Sequence, residues 1–127
     1  MTREPVPGEK PLHWVGSSLK DMTRFPLDVQ RSIGFAVSAA QYGGKHPSTK
    51  PWKGEGPGVL ELVADYRSDA YRAVYTVRFA DAVYVLHRFQ KKSPKGSKTA
   101  HADIRLIAER LRAAKEDYER CYGKRKE

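Results

Sequence analysis

The chain has 127 residues, of which 39% are apolar and 31% charged, with a net charge of +9 and a pI near 9.8. This is enough for one domain with its own core, and the composition excludes a disordered chain, while the basic excess points to nucleic acid or an acidic protein as partner. A lone Cys121 excludes an internal disulfide framework, and no segment is long and apolar enough for a signal peptide or a bilayer span, so a cytoplasmic, non-membrane protein is expected.

Residues 1–10, with Pro5, Pro7 and Gly8, read as a flexible leader, and 11–122 as the domain. "LHWV" (12–15) suits a short first strand. "SSLKDMTRF" offers Ser18 and Asp21 as a capping box, with Leu19, Met22 and Phe25 on one helical face. Pro26 opens a second helix, along which Val29, Ile33, Ala36, Val37 and Ala40 form a buried stripe, and Gly43-Gly44 ends it. Residues 43–58, "GGKHPSTKPWKGEGPG", form a long loop that Trp52 anchors, although its ring could also stack on a base. Three strands follow, at 59–66, 71–79 and 82–89, rich in Val, Tyr and Phe. A basic block comes next, and a last helix from about Ala100 to Tyr122 carries Ile104, Ile107, Ala108, Leu111, Tyr118 and Tyr122 at helical spacing. Residues 123–127 are a basic tail. The order βααβββα predicts an α+β fold in which an N-terminal helical hairpin and a C-terminal helix cover one face of a small, mainly antiparallel sheet.

A two-residue turn at Ala80-Asp81 would pair Val77 with Tyr84, Tyr75 with Leu86, Val74 with His87 and Arg72 with Phe89. Tyr71, Ala73, Tyr75, Val77, Phe79, Ala82, Tyr84 and Leu86 would then form the core face. The other face would carry Arg72, Val74, Thr76, Arg78, Val83, Val85, His87 and Phe89, with Arg72 diagonal to His87. Arg72 has two readings: a salt bridge to Glu61 or Asp65, or a phosphate clamp, for which the guanidinium fork is the natural tool.

The stretch "VYVLHRFQKKSPKGSKTAH" leaves the last strand into Arg88, Lys91, Lys92, Lys95 and Lys98 without an intervening acid. It is either a solvated loop or a polyanion contact, and the unbroken sign favours the contact. His87 and His101 bracket it, and each alone has an ordinary structural explanation. The four histidines are scattered and the acids lack ligand spacing, so no metal site is expected. "GEGPG" lacks the Lys-Ser/Thr ending of a phosphate-binding loop, and no Ser/His/Asp constellation emerges.

"YRAVY" and "VYVLHRFQKKS", set within "VLELVADYRSDAYRAVYTVRFADAVYVLHRFQKKSPKGSKTAHADIRLIAERL", resemble the phage-related branch of the RelE/HigB-like toxins of bacterial toxin–antitoxin systems. "KPLHWVGSSLKDMTRFPLDVQRSIGFAVSAAQYGGKHPSTKPWKG" fits the same branch, so the resemblance covers about residues 10–118. It implies a metal- and cofactor-free mRNA endoribonuclease acting with the ribosome, in which the ribose 2′-OH attacks the adjacent phosphate, and a cognate antitoxin, a helix-turn-helix protein encoded beside it. Under this resemblance Arg72 is the transition-state clamp, Lys91 and Lys92 hold phosphates and donate a proton, and His101 is the nearest match to an acid/base or stacking residue at the start of the last helix. Arg88, Lys95, Lys98, Lys53 and Arg78 are candidate RNA contacts. Where some relatives carry two lysines on the preceding strand, this chain has Glu61 and Asp65, which leaves the general base open to His87. The same superfamily includes ParE-like gyrase inhibitors, so a non-enzymatic inhibitor or nucleic-acid-binding module is the alternative.

Overall fold

The computed structural model describes residues 8–91 and 101–123. Its elements are β1 (Leu12–Trp14), α1 (Ser18–Met22), α2 (Leu27–Gln41), β2 (Thr49–Pro51), β3 (Val59–Tyr66), β4 (Asp69–Thr76), β5 (Val83–Lys91) and α3 (His101–Cys121). The strands make one sheet in the order β1-β5-β4-β3-β2. Every pairing is antiparallel except β1 with β5. The fold is the expected α+β, with a mainly antiparallel sheet.

The predicted stripe of α2 is its buried face: Val29, Ile33, Ala36, Val37 and Ala40 are each at most 4% exposed. The start of α1 differs from the predicted box. Ser17, not Ser18, donates to Asp21, at 2.8 Å, while the fully buried Ser18 donates to the Val85 carbonyl. β2, three residues inside the predicted loop, was missed because "TKP" is too short for a period and ends on a proline. Pro51 is tolerated there because β2 is an edge strand. Trp52 does anchor this segment, with its side chain buried and its backbone N–H donating to the Val59 carbonyl. The β3–β4 turn uses Arg67 and Ser68, both at positive φ, so β4 begins at Asp69, two residues earlier than its sequence pattern suggests.

The link between β4 and β5 corrects the predicted hairpin. Residues 77–82 form a longer connection instead of a two-residue turn, and a bulge interrupts the pairing. Arg72 faces Phe89 and Val74 faces His87, as the spacing predicts. Tyr75 then faces Val85 and Thr76 faces Tyr84, leaving Leu86 unpaired. One extra residue flips everything beyond it. Val83 and Val85 therefore join the core under α2, while Tyr84 and Leu86 join the core under α3.

The helices do not share one face. α2 packs with Leu62, Tyr71, Ala73, Tyr75, Val83 and Val85 on one side of the sheet. α3 packs Ile107, Leu111 and Ala114 against Val59, Val74, Tyr84 and Leu86 on the other. Adjacent residues such as Ala73 and Val74 belong to opposite cores, so the central strands are buried on both faces. Ile104 falls outside the α3 stripe and is 40% exposed, because the buried face turns through Ile107 and Leu111. Among the described residues, no helix is long and apolar enough to cross a membrane.

Candidate active site

The register of β3, β4 and β5 assembles a charged cluster on the α3 face. Glu61 lies opposite Val74, and Arg72 lies opposite Val63 on one side and Phe89 on the other. The diagonal offset lets Arg72 Nη1 donate to Glu61 Oε2. Glu61 is 4% exposed, so this carboxylate is a fixed, buried counter-ion. The Arg72 side chain keeps 17% of its surface exposed, while its Nε is buried with no hydrogen-bond partner among the described residues. Of the two sequence readings of Arg72, this geometry shows the salt bridge, made to Glu61.

His87 shares this face and is 6% exposed. Its ring stacks on Phe89, with centroids 5.1 Å apart, and its Nε2 lies 2.7 Å from Asp103 Oδ1. Its Nδ1 lies 3.5 Å from Arg110 Nη1. Both ring nitrogens thus face partners from α3. Because Asp103 is in the first turn of α3, this contact seats the start of that helix on β5. His101, the first helical residue, is exposed two positions before Asp103 and so stands at the same end of the sheet. The backbone of Lys91 pairs with Ala70, two residues beyond the Arg72–Phe89 pair. Lys92, Lys95 and Lys98 lie outside the described residues.

Three of the other candidates sit elsewhere. Arg88 is not on the surface, which corrects its assignment as an RNA contact. It lies opposite Ala73, is 2% exposed, and places its guanidinium over the rings of Trp14 and Phe25, at 5.1 and 5.7 Å from their centroids. Pleating sends it to the α2 side while Phe89 faces α3. Burial pulls its pKa down to about 10, against a smaller opposing pull from Asp21. Arg78 donates to the carbonyls of Pro57 and Glu55, so it staples the 52–58 segment at the far end of β4. Lys53 is exposed on that same segment. Neither joins Arg72.

Asp103 and Arg110 were missed from sequence. The available signal was their spacing: they are seven residues apart on α3, on the face that also carries Ile107. A charged residue before an apolar helical stripe and another within it ask for polar partners on the sheet. Among the described residues there is no cluster of three or more potential metal ligands. A cleft of about 450 Å³, lined by His13, Tyr84, Glu116, Asp117 and Arg120 among others, lies along the other half of α3. Its Tyr84 hydroxyl donates to Asp117 at 2.7 Å, and burial followed by that bond raises the tyrosine pKa. This acidic, engaged wall is a poor seat for phosphate.

With the sheet, its two helical layers and the Arg72 cluster in view, the relationships of the chain become informative. Residues 20–112 match the phage-derived Gp49-like protein family (DUF891), a span that includes all of β2 to β5 and half of α3. The chain belongs to this family. Its fold is similar to that of the E. coli toxin RelE, solved as an arginine double mutant in the free state, with a TM-score of 0.51 at 18% identity, covering 83% of this chain and 97% of that one. The Gp49-like chain thus has a RelE-like fold. A second solved structure, the toxin–antitoxin complex RelBE2 from Mycobacterium tuberculosis, matches with a TM-score of 0.42 at 15% identity, covering 71% of this chain and 100% of that one. No curated protein matches the sequence.

Proposed function

We propose that this protein is the toxin of a type II toxin–antitoxin pair, a metal-independent mRNA endoribonuclease that acts with the ribosome and inhibits translation in the cytoplasm. The observation that carries the reading is Arg72, held by buried Glu61 with part of its side chain still exposed, at the end of the sheet where β5 runs into the Lys91–Lys92 block. The RelE-like fold and the family membership support it.

The chemistry is transfer of a phosphodiester within the RNA. A base takes the proton of the ribose 2′-OH, the freed oxygen attacks the adjacent phosphorus, and the P–O5′ bond breaks. The products are a 2′,3′-cyclic phosphate and a 5′-hydroxyl that receives a proton. Charge grows on the non-bridging oxygens, so a preorganised guanidinium gives most where the transition state needs it. Arg72 supplies that clamp. Lys91 and Lys92 hold phosphates and deliver the proton to the leaving oxygen. His101, exposed at the start of α3, serves as acid/base or stacks on a base. Lys95 and Lys98 add sequence-independent grip. No cofactor enters this scheme. The partner that silences it is an antitoxin, a helix-turn-helix protein encoded beside it.

Induction of the wild-type chain in a bacterium should arrest growth and leave cleaved messages that primer extension maps. Arg72→Ala and the Lys91→Ala/Lys92→Ala double variant should lose both effects. Arrest with intact messages and induced DNA damage would instead establish the gyrase-inhibitor alternative.

A further inference from the structure

The proposed chemistry leaves unused a polar chain running along β5 from the start of α1 to the start of α3. Leu86 is the bulge residue and has no partner on β4, and the β1 pairing stops one residue short of it, at Val85. Arg110 takes the orphaned Leu86 carbonyl, with Nη1 donating at 3.0 Å. Nη2 donates to the Ser17 hydroxyl at 3.1 Å, and Ser17 donates onward to Asp21. The backbone is shaped for this guanidinium. Gly16 sits at φ +57, and a Cβ there would stand 3.0 Å from the guanidinium carbon and two of its nitrogens.

A guanidinium can only donate hydrogen bonds. Asp103 Oδ1 accepts at 2.7 Å from Nε2, and Arg110 Nη1 approaches Nδ1 at 3.5 Å, so the neutral ring that suits both carries its proton on Nε2 and its lone pair on Nδ1. Nε2–H is then the donor to Asp103 Oδ1 at 2.7 Å. We propose that Arg110 is a positioning residue, which holds His87 as the Nε2–H tautomer and so pins Asp103 and the first turn of α3, with His101, beside Arg72. His87 held this way has no free lone pair facing a substrate, so it tethers the site and is not its general base. The effect on catalysis rests on the nuclease reading above; the tautomer does not.

Nitrogen-15 NMR of the His87 ring in the full chain tests the tether, with ribosome-dependent message cleavage measured alongside. In the wild type, Nε2 should carry the proton and Nδ1 should be bare. In Arg110→Met, Nδ1 loses its donor, so the His87 ring nitrogens should shift and broaden as the ring loses its fixed orientation, and cleavage should fall about tenfold through misplacement of α3, with Arg110→Lys recovering part of both. Should Arg110→Met fail to fold, Gly16→Ala, which displaces the guanidinium sterically, should reproduce the His87 change. A wild-type His87 protonated on Nδ1, or a ring unaltered by displacement of Arg110, overturns the tether. Full cleavage in a folded Arg110→Met variant with an altered ring overturns its role in positioning. A wild type that cleaves nothing yet shows the Arg110-dependent ring signature retires the nuclease reading and leaves the tether standing.

Discussion

Two arginines on neighbouring strands meet opposite fates. Arg72 on β4 pairs with Phe89, and Arg88 on β5 pairs with Ala73, one step along the same ladder. Pleating puts them on opposite faces. Arg72 gains a buried carboxylate and keeps 17% of its side chain exposed, with only its Nε left buried and unpartnered among the described residues. Arg88 gains the faces of Trp14 and Phe25, and its three guanidinium nitrogens find no hydrogen-bond partner among the described residues. A pair such as Arg72–Glu61 costs desolvation but repays it through contact, while a desolvated arginine without a carboxylate is repaid only in part by ring faces. The first arrangement orients a charge for use; the second is a strain on the fold.

The largest break in this comparison should come from Arg72→Ala. It strands the Glu61 carboxylate in the interior, which should cost about 3 kcal/mol in urea denaturation. Message cleavage should fall by about 100-fold or more, the scale of losing a transition-state donor. Arg88→Met should act in the opposite sense. A hydrophobic side chain of similar length between Trp14 and Phe25 should raise stability by about 1–2 kcal/mol. That advantage should depend on pH with a definite sign. The folded-state pKa of Arg88 is lowered by burial to about 10, well below the ordinary arginine value. Between those values the unfolded chain keeps a proton that the folded chain releases, so wild-type stability should rise with pH relative to Arg88→Met. The gap between the two proteins should be constant below pH 10 and shrink above it, in paired denaturation curves. Arg31 sharpens the comparison from the outside. It meets Asp28 at 3.6 Å with both side chains about 70% exposed, and Arg31→Ala should change the unfolding midpoint by no more than about 0.5 kcal/mol.

How much of this was legible depends on the distance over which each feature is determined. The α2 stripe follows from periodicity within one element and emerged as read. The Arg72–Phe89 and Val74–His87 pairings were also correct, because both lie on the same side of the bulge. The pairing failed from Leu86 onward, where the extra residue exchanged the faces of Val83, Tyr84, Val85 and Leu86. A bulge has no local signature in "AVYVLHRF", where nearly every position is apolar and either register buries it. The second helical layer left a trace: the face described as mixed held Val74 and Phe89, too apolar for open water. Arg88 misled because a cation beside a lysine block reads as part of it, and only the pleat separates them.

The order of elements apart from β2, the basic block after β5 and the placing of Arg72 and His87 on one face were determined by the sequence itself, because short-range periodicity and strand spacing are properties of the chain. Which layer covers each face, which arginine is paired, and the contact of His87 with Asp103 and Arg110 were decided by tertiary structure alone. Those features depend on a bulge and on a helix that returns from residues 101–121 to the far side of the sheet. No local pattern encodes a meeting between side chains that only long-range packing brings within hydrogen-bonding distance.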